Sequence, residues 1–153
     1  MTLVKFVHVL GCAMWIGGWV AGVIFASSVE GASADTRAST FRALGRLHAT
    51  VIGLGALLVV GTGVVLTMNM NAGGLGALMQ APRLWVMVLT GLAGGLLVIF
   101  VVLPTATRAT ALAVVTKNGE LPPAFETYRR RLSTVSAVAG ALAVLSLFSW
   151  YVL

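Results

Sequence analysis

Four runs without a single Lys, Arg, Asp or Glu dominate this chain of 153 residues: Phe6–Val29, Leu47–Pro82, Leu84–Thr107 and Leu132–Leu153. About 20 apolar residues, at about 1.5 Å each, cover the roughly 30 Å hydrocarbon core of a bilayer. Each run is long enough. None alternates apolar and polar residues like a strand, and lipid admits only structures that satisfy their own backbone, so helices are expected. The connections are short, which favours antiparallel neighbours. The sequence therefore predicts an all-α, integral membrane, up-down four-helix bundle in one domain, with spans at about 4–27, 42–68, 83–104 and 131–153. With 59% hydrophobic and 9% charged residues, a soluble domain is excluded.

The first run resembles a secretory leader only superficially. It is too long for a leader's apolar region, and it carries Trp15, Trp19 and His8. The second helix is expected to open near Thr40, after a Ser- and Ala-rich connection, and is rich in glycine (Gly53, Gly55, Gly61, Gly63). In membranes such glycines mark close helix contacts. A connection bearing Asn71, Gly73, Gly74 and Gly76 follows. The third helix ends near Pro104 or continues, kinked, towards Lys117. Asn118-Gly119 signals a turn, and Pro122-Pro123 opens the fourth helix. Trp150 and Tyr151 are expected to anchor its far end at a membrane interface.

The net charge of +6 is distributed unevenly. Arg37, Arg42, Arg46, Arg108, Lys117, Arg129, Arg130 and Arg131 fall on the side of the first and third connections. Lys5 and Arg83 alone fall on the side of the termini. The positive-inside rule then predicts a cell (cytoplasmic or inner) membrane protein with both termini outside the cytoplasm. The basic residues are expected to meet lipid headgroups, not nucleic acid. A single cysteine, Cys12, rules out an intrachain disulfide.

No Asp, Glu, Lys or Arg lies within the four charge-free runs, which argues against a proton-coupled transporter. The imidazoles of His8 and His48 are the remaining candidates for chemistry. Helical spacing places Gly11, Cys12, Trp15, Gly18, Trp19 and Gly22 on the His8 side of the first helix, a small and aromatic surface that a flat ligand or another backbone can approach. Imidazole ligates haem iron, copper or zinc. Lys5 and Arg83 lie near His8, as partners for haem propionates, and Arg42 and Arg46 near His48. The two histidines are expected roughly 20 Å apart in depth, so one metal cannot take both. Either each serves its own haem, or the second ligand comes from elsewhere, such as a homodimer mate. The alternative for each is a hydrogen bond across helices. Met68 and Met70 end the second helix, and Met79 and Met87 flank the start of the third; with His8 and Cys12 they form an alternative Cu(I) set, methionine being otherwise a common apolar filler.

The pattern Lys5-x-x-His8, Trp15, Gly17-Gly18 resembles the first helix of the membrane domain of the copper-resistance protein D (CopD) superfamily and of the related haem-binding HemJ family. An arginine-led second helix with Gly61-Thr62-Gly63 fits more loosely. The resemblance implies a four-helix layout with His8 as a haem b ligand, or a part in copper handling. HemJ carries a His-x-Lys element in its third helix; here the segment reads Arg83-Leu84-Trp85-Val86-Met87, which argues against protoporphyrinogen oxidation and against an enzyme. The expected function is haem b binding through His8, and through His48 if a second haem is present, with Trp15, Gly11, Gly18, Lys5 and Arg83 around the first. Electron transfer within a homo-oligomer or larger membrane redox complex would follow. The rivals are copper handling or small-solute transport, and a structural accessory subunit.

Overall fold

The computed structural model describes residues 1–70 and 82–152, apart from the side chains of Met70, Pro82, Arg83, Trp150, Tyr151 and Val152. Every regular element in them is helical: α1 (Thr2–Ser28), α2 (Ala34–Leu47), α3 (Gly53–Met70), α4 (Pro82–Leu97), α5 (Leu103–Leu112) and α6 (Pro123–Val152). Two π turns, His48–Ile52 and Val98–Val102, join α2 to α3 and α4 to α5 without a break. Four rods result, all long and apolar enough to cross a membrane. They neighbour one another in chain order, and α6 returns to α1, so the bundle closes as a ring. This is the expected all-α four-helix bundle of a multi-pass membrane protein.

The surface reads as lipid-facing. Phe6, Val23, Phe25, Leu57, Phe100 and Phe148 all lie more than half exposed. No aqueous domain presents so continuous an apolar exterior. The interior is built from smaller groups: Ala56, Ala106, Ala109, Ala139 and Ala143 pack with Ile52, Val98 and Val102 around Trp15. A second apolar cluster, Val29, Ala38, Phe41, Leu44, Ala113 and Phe125, fills the arginine-rich end. There Phe41 and Phe125 meet edge to face at 5.1 Å, a favoured arrangement of ring quadrupoles.

The second rod starts at Ala34, earlier than the expected opening near Thr40. Ser33 explains the difference. Its hydroxyl accepts from the Thr36 N–H at 3.4 Å, and Asp35 sits in the positive first turn. The expected loop is thus mostly helix. The third rod continues through Pro104 to Leu112. Pro104 has no N–H to offer the Phe100 carbonyl, and its ring would press on it. The π turn just before it, where the Leu103 N–H bonds to the Val98 carbonyl, relaxes that crowding. The turn at Asn118-Gly119 is present, Gly119 adopting φ +77°. The glycine-rich connection and Met79 lie outside the described residues, and the Trp150–Tyr151 anchor outside the described side chains.

α1 and α3 approach most closely at Gly11 and Gly55. A Cβ on Gly55 would lie 2.7 Å from the Trp15 nitrogen and 2.9 Å from the Gly11 carbonyl oxygen. Gly61, on the same helix, meets nothing within 4 Å. Gly55→Val is therefore expected to weaken the bundle by about 1–3 kcal/mol. Gly61→Ala should change it by less than about 0.5 kcal/mol. Unfolding in mixed detergent micelles, followed by circular dichroism, checks both.

Candidate functional site

His8 stands on α1 and meets α3 at Thr62 and Gly63. Its Nδ1 lies 2.8 Å from the Thr62 hydroxyl oxygen. Thr62 has one hydrogen, which it donates to the Leu58 carbonyl one turn back. The neutral imidazole must then donate from Nδ1, which leaves the lone pair on Nε2. Gly63 makes the room: a Cβ there would come within 3.4 Å of the imidazole Cε1. The ring is half-buried, and Lys5, one turn towards the chain start, is exposed.

His48 opens the first π turn and is buried. Its Nδ1 lies 2.7 Å from the Leu44 carbonyl oxygen, which can only accept. Again Nδ1 carries the proton and Nε2 the lone pair. That nitrogen lies 3.4 Å from the Ser136 hydroxyl of α6. Gly22 on α1 faces the ring, its missing Cβ 3.9 Å from Cε1. Since Gly22 lies fourteen residues after His8 on one helix, the imidazoles sit roughly 20 Å apart in depth. The structure does not bring them together.

The remaining candidates are placed as follows. Gly11 lies against α3 at Gly55 and Val59, and Gly18 against Ile52 of the first π turn. Trp15 is buried in the core with its ring edge over Gly94 of α4. The Trp19 ring lies on Gly140 of α6. The surface expected to admit a flat ligand is thus covered by neighbouring helices, and the glycines and indoles serve their packing. Cys12 packs against the core, half-buried. Met68 is 74% exposed and lies six residues beyond Thr62, about 9 Å further along the helix; it does not join His8 in a copper set. The side chains of Met70 and Arg83 lie outside those described. Among the described residues no three His, Cys, Asp or Glu side chains are grouped to hold a metal.

Sequence reasoning missed the partners of the two imidazoles. Thr62 sits within a visible Gly-Thr-Gly, where a lone hydroxyl between glycines was the available signal. Ser136 offered only its spacing of four from Gly140. A third missed feature closes the arginine-rich end. Glu126 accepts from Arg129 at 2.6 and 2.8 Å, from Arg130 at 3.1 Å and, across helices, from Arg37 of α2 at 3.3 Å. Arg37 also lies over the Phe125 ring, 5.9 Å from its centre. Arg42 donates to the Ala113 carbonyl at 3.1 Å, at the end of α5. These arginines therefore hold protein groups.

No family model, curated protein or solved structure matches the chain.

The Glu126 carboxyl is held at about 2, below its ordinary 4.5, first by the Arg129 hydrogen bonds and then by Arg130. A carboxyl lowered on folding stabilises the fold above its unfolded pKa and ceases to do so as pH falls through its folded one. The melting temperature is accordingly expected to be flat near neutrality and to fall between pH 4.5 and about 2. In Glu126→Gln that fall should shrink. The group is more than a third exposed, so solvent screening limits the effect to below about 1 kcal/mol.

Proposed function

We infer that this chain is a haem b-binding protein of the cell membrane, with both termini outside the cytoplasm, acting in electron transfer or haem-linked redox chemistry. The observation that carries the reading is the fixed tautomer of His8. Its Nδ1–H is committed to Thr62, whose own hydrogen goes to Leu58. Ligating histidines are held in this way, the far ring nitrogen donating to a protein oxygen while the other keeps its lone pair for the metal. The arginine-rich end supports the orientation.

The donor chemistry supports a single haem. With Gly11 covered by α3 and Gly18 by the first π turn, a porphyrin has no room between the first and second rods. A haem on His8 therefore belongs at the lipid-facing edge of the bundle, where Lys5 is exposed to meet a propionate. His48 does not fit a second haem. Its Nε2 faces Ser136, and the cavity that Ser136 lines measures about 10 Å³. Bound haem would supply one-electron redox chemistry; the chain supplies the imidazole, its tautomer and a dry setting.

A specific observation favours a second reading, a structural subunit of a larger membrane complex. Gly17 on α1 and Gly61 on α3 open outward with nothing within 4 Å, as helix-packing surfaces in membranes do.

Absorption spectra of the purified protein, oxidised and reduced, separate the readings. The haem reading expects a Soret band that vanishes in His8→Ala and persists in His48→Ala. It also expects Thr62→Val to bind haem roughly 10–100-fold more weakly. A colourless protein from haem-replete cells defeats it. Copper retained without a Soret band would favour copper handling instead.

A further inference from the structure

A small, partly open space is lined by residues of both π turns, α1 and α6. Ile52 of the first turn and Val98 and Val102 of the second form its apolar wall. Trp15, Trp19, Ser136 and Ala139 complete it. Its volume is about 10 Å³, close to the least that admits one water molecule. A void of this size lined only by hydrocarbon stays empty. This one is not lined only by hydrocarbon.

Trp19 brings a buried indole Nε1–H with no hydrogen-bond partner. An indole nitrogen only donates, and a buried donor left without an acceptor destabilises the fold. The ring cannot swing aside freely, because it rests on the bare backbone of Gly140. Ser136 brings an oxygen whose proton is already committed. His48 donates from Nδ1 to Leu44, so its Nε2 can only accept, and the Ser136 hydroxyl supplies that hydrogen. The serine oxygen keeps lone pairs to offer. Thus one wall carries a donor lacking an acceptor, and another carries an acceptor lacking a donor. The two are not within direct hydrogen-bonding distance of each other.

We propose that one water molecule occupies this cavity, accepting from the Trp19 indole and donating to the Ser136 oxygen. The site takes a neutral molecule of water's size that both donates and accepts. It completes a directed chain in which Trp19 donates to water, water to Ser136, Ser136 to His48, and His48 to the Leu44 carbonyl. The chain ties α1 to α6 and α6 to the π turn that follows α2. It assigns the buried histidine a task that needs no metal, and it gives the two π turns a common purpose, since between them they open the space the water fills. Nothing in it depends on whether His8 binds haem.

The experiment uses the full chain in detergent micelles with its tryptophans labelled with 15N. There are four tryptophans, and Trp19→Phe identifies the signal of interest. The expected result is an indole proton of Trp19 that is shifted as in a hydrogen bond and gives a cross-relaxation peak to a long-lived water. In Ser136→Ala the cavity remains but the water loses one anchor. The peak should disappear, and exchange of the indole proton with D2O should quicken by about tenfold, the equivalent of one hydrogen bond. Ala139→Val, which fills the space, should abolish the peak and return the proton to the position of a free indole. The proposal is overturned if Trp19 shows no water peak in the unmodified protein. It is equally overturned if the indole bonds directly to Ser136 or His48, or if the peak survives Ser136→Ala unchanged. Because each variant is read by its spectrum, an unfolded one is recognised by collapse of all indole signals, and the unmodified protein alone still decides.

Discussion

Helices in lipid gain nothing by hiding apolar surface from one another, since the solvent is as apolar as they are. What remains is contact at short range, and contact is limited by how near two backbones can come. In this bundle the limit is set at Gly11 and Gly55, where either added methyl group would run into the opposite main chain. The antiparallel register of α1 and α3 follows from that point. It carries Gly18 to Ile52, Gly22 to His48 and His8 to Thr62. Each imidazole obtains its surroundings from the same seam. Large side chains then enter notches cut by glycine on the other rods: Trp15 at Gly94, Trp19 at Gly140, Thr110 at Gly45. The alanine-rich core is the complement of these few bulky insertions.

Much of the fold was legible because lipid makes a severe demand that leaves a plain trace. Charge-free runs of sufficient length give the rods, and short connections give their antiparallel order. The misplaced start of the second rod has a local cause. Ala34–Thr40 is polar and outside the apolar run, so hydropathy was silent, and the Ser33 cap that starts the helix is a weak signal beside it. The passage through Pro104 was left open between two outcomes. A π turn decided it, and nothing in Val98–Val102, five apolar residues, announces such a turn.

The site was legible only in part. His8 and His48 stand out in any reading of the spans, and their separation in depth followed from counting residues. Their tautomers did not. Those depend on whether the partner oxygen can donate, which is a matter of which carbonyl and which hydroxyl lie across a particular helix contact. The glycine and tryptophan stripe reads as a place of close approach. Its occupant was not specified, because a backbone and a flat ligand ask for the same small residues. Here neighbouring helices take it. The acid at the arginine-rich end escaped notice for a different reason: Glu126 is one acid among many basic residues, and only the fold brings Arg37 to it.

That ion pair links two segments far apart in synthesis. Arg37 belongs to the second rod and Glu126 to the fourth. While the chain is being made, the arginine emerges long before its carboxylate, and the Phe41 ring waits equally long for Phe125. The ring of rods therefore has a built-in last step. The earlier three can come together first, but Arg37 stays without its carboxylate, and the Phe41 ring without its partner, until the final segment arrives.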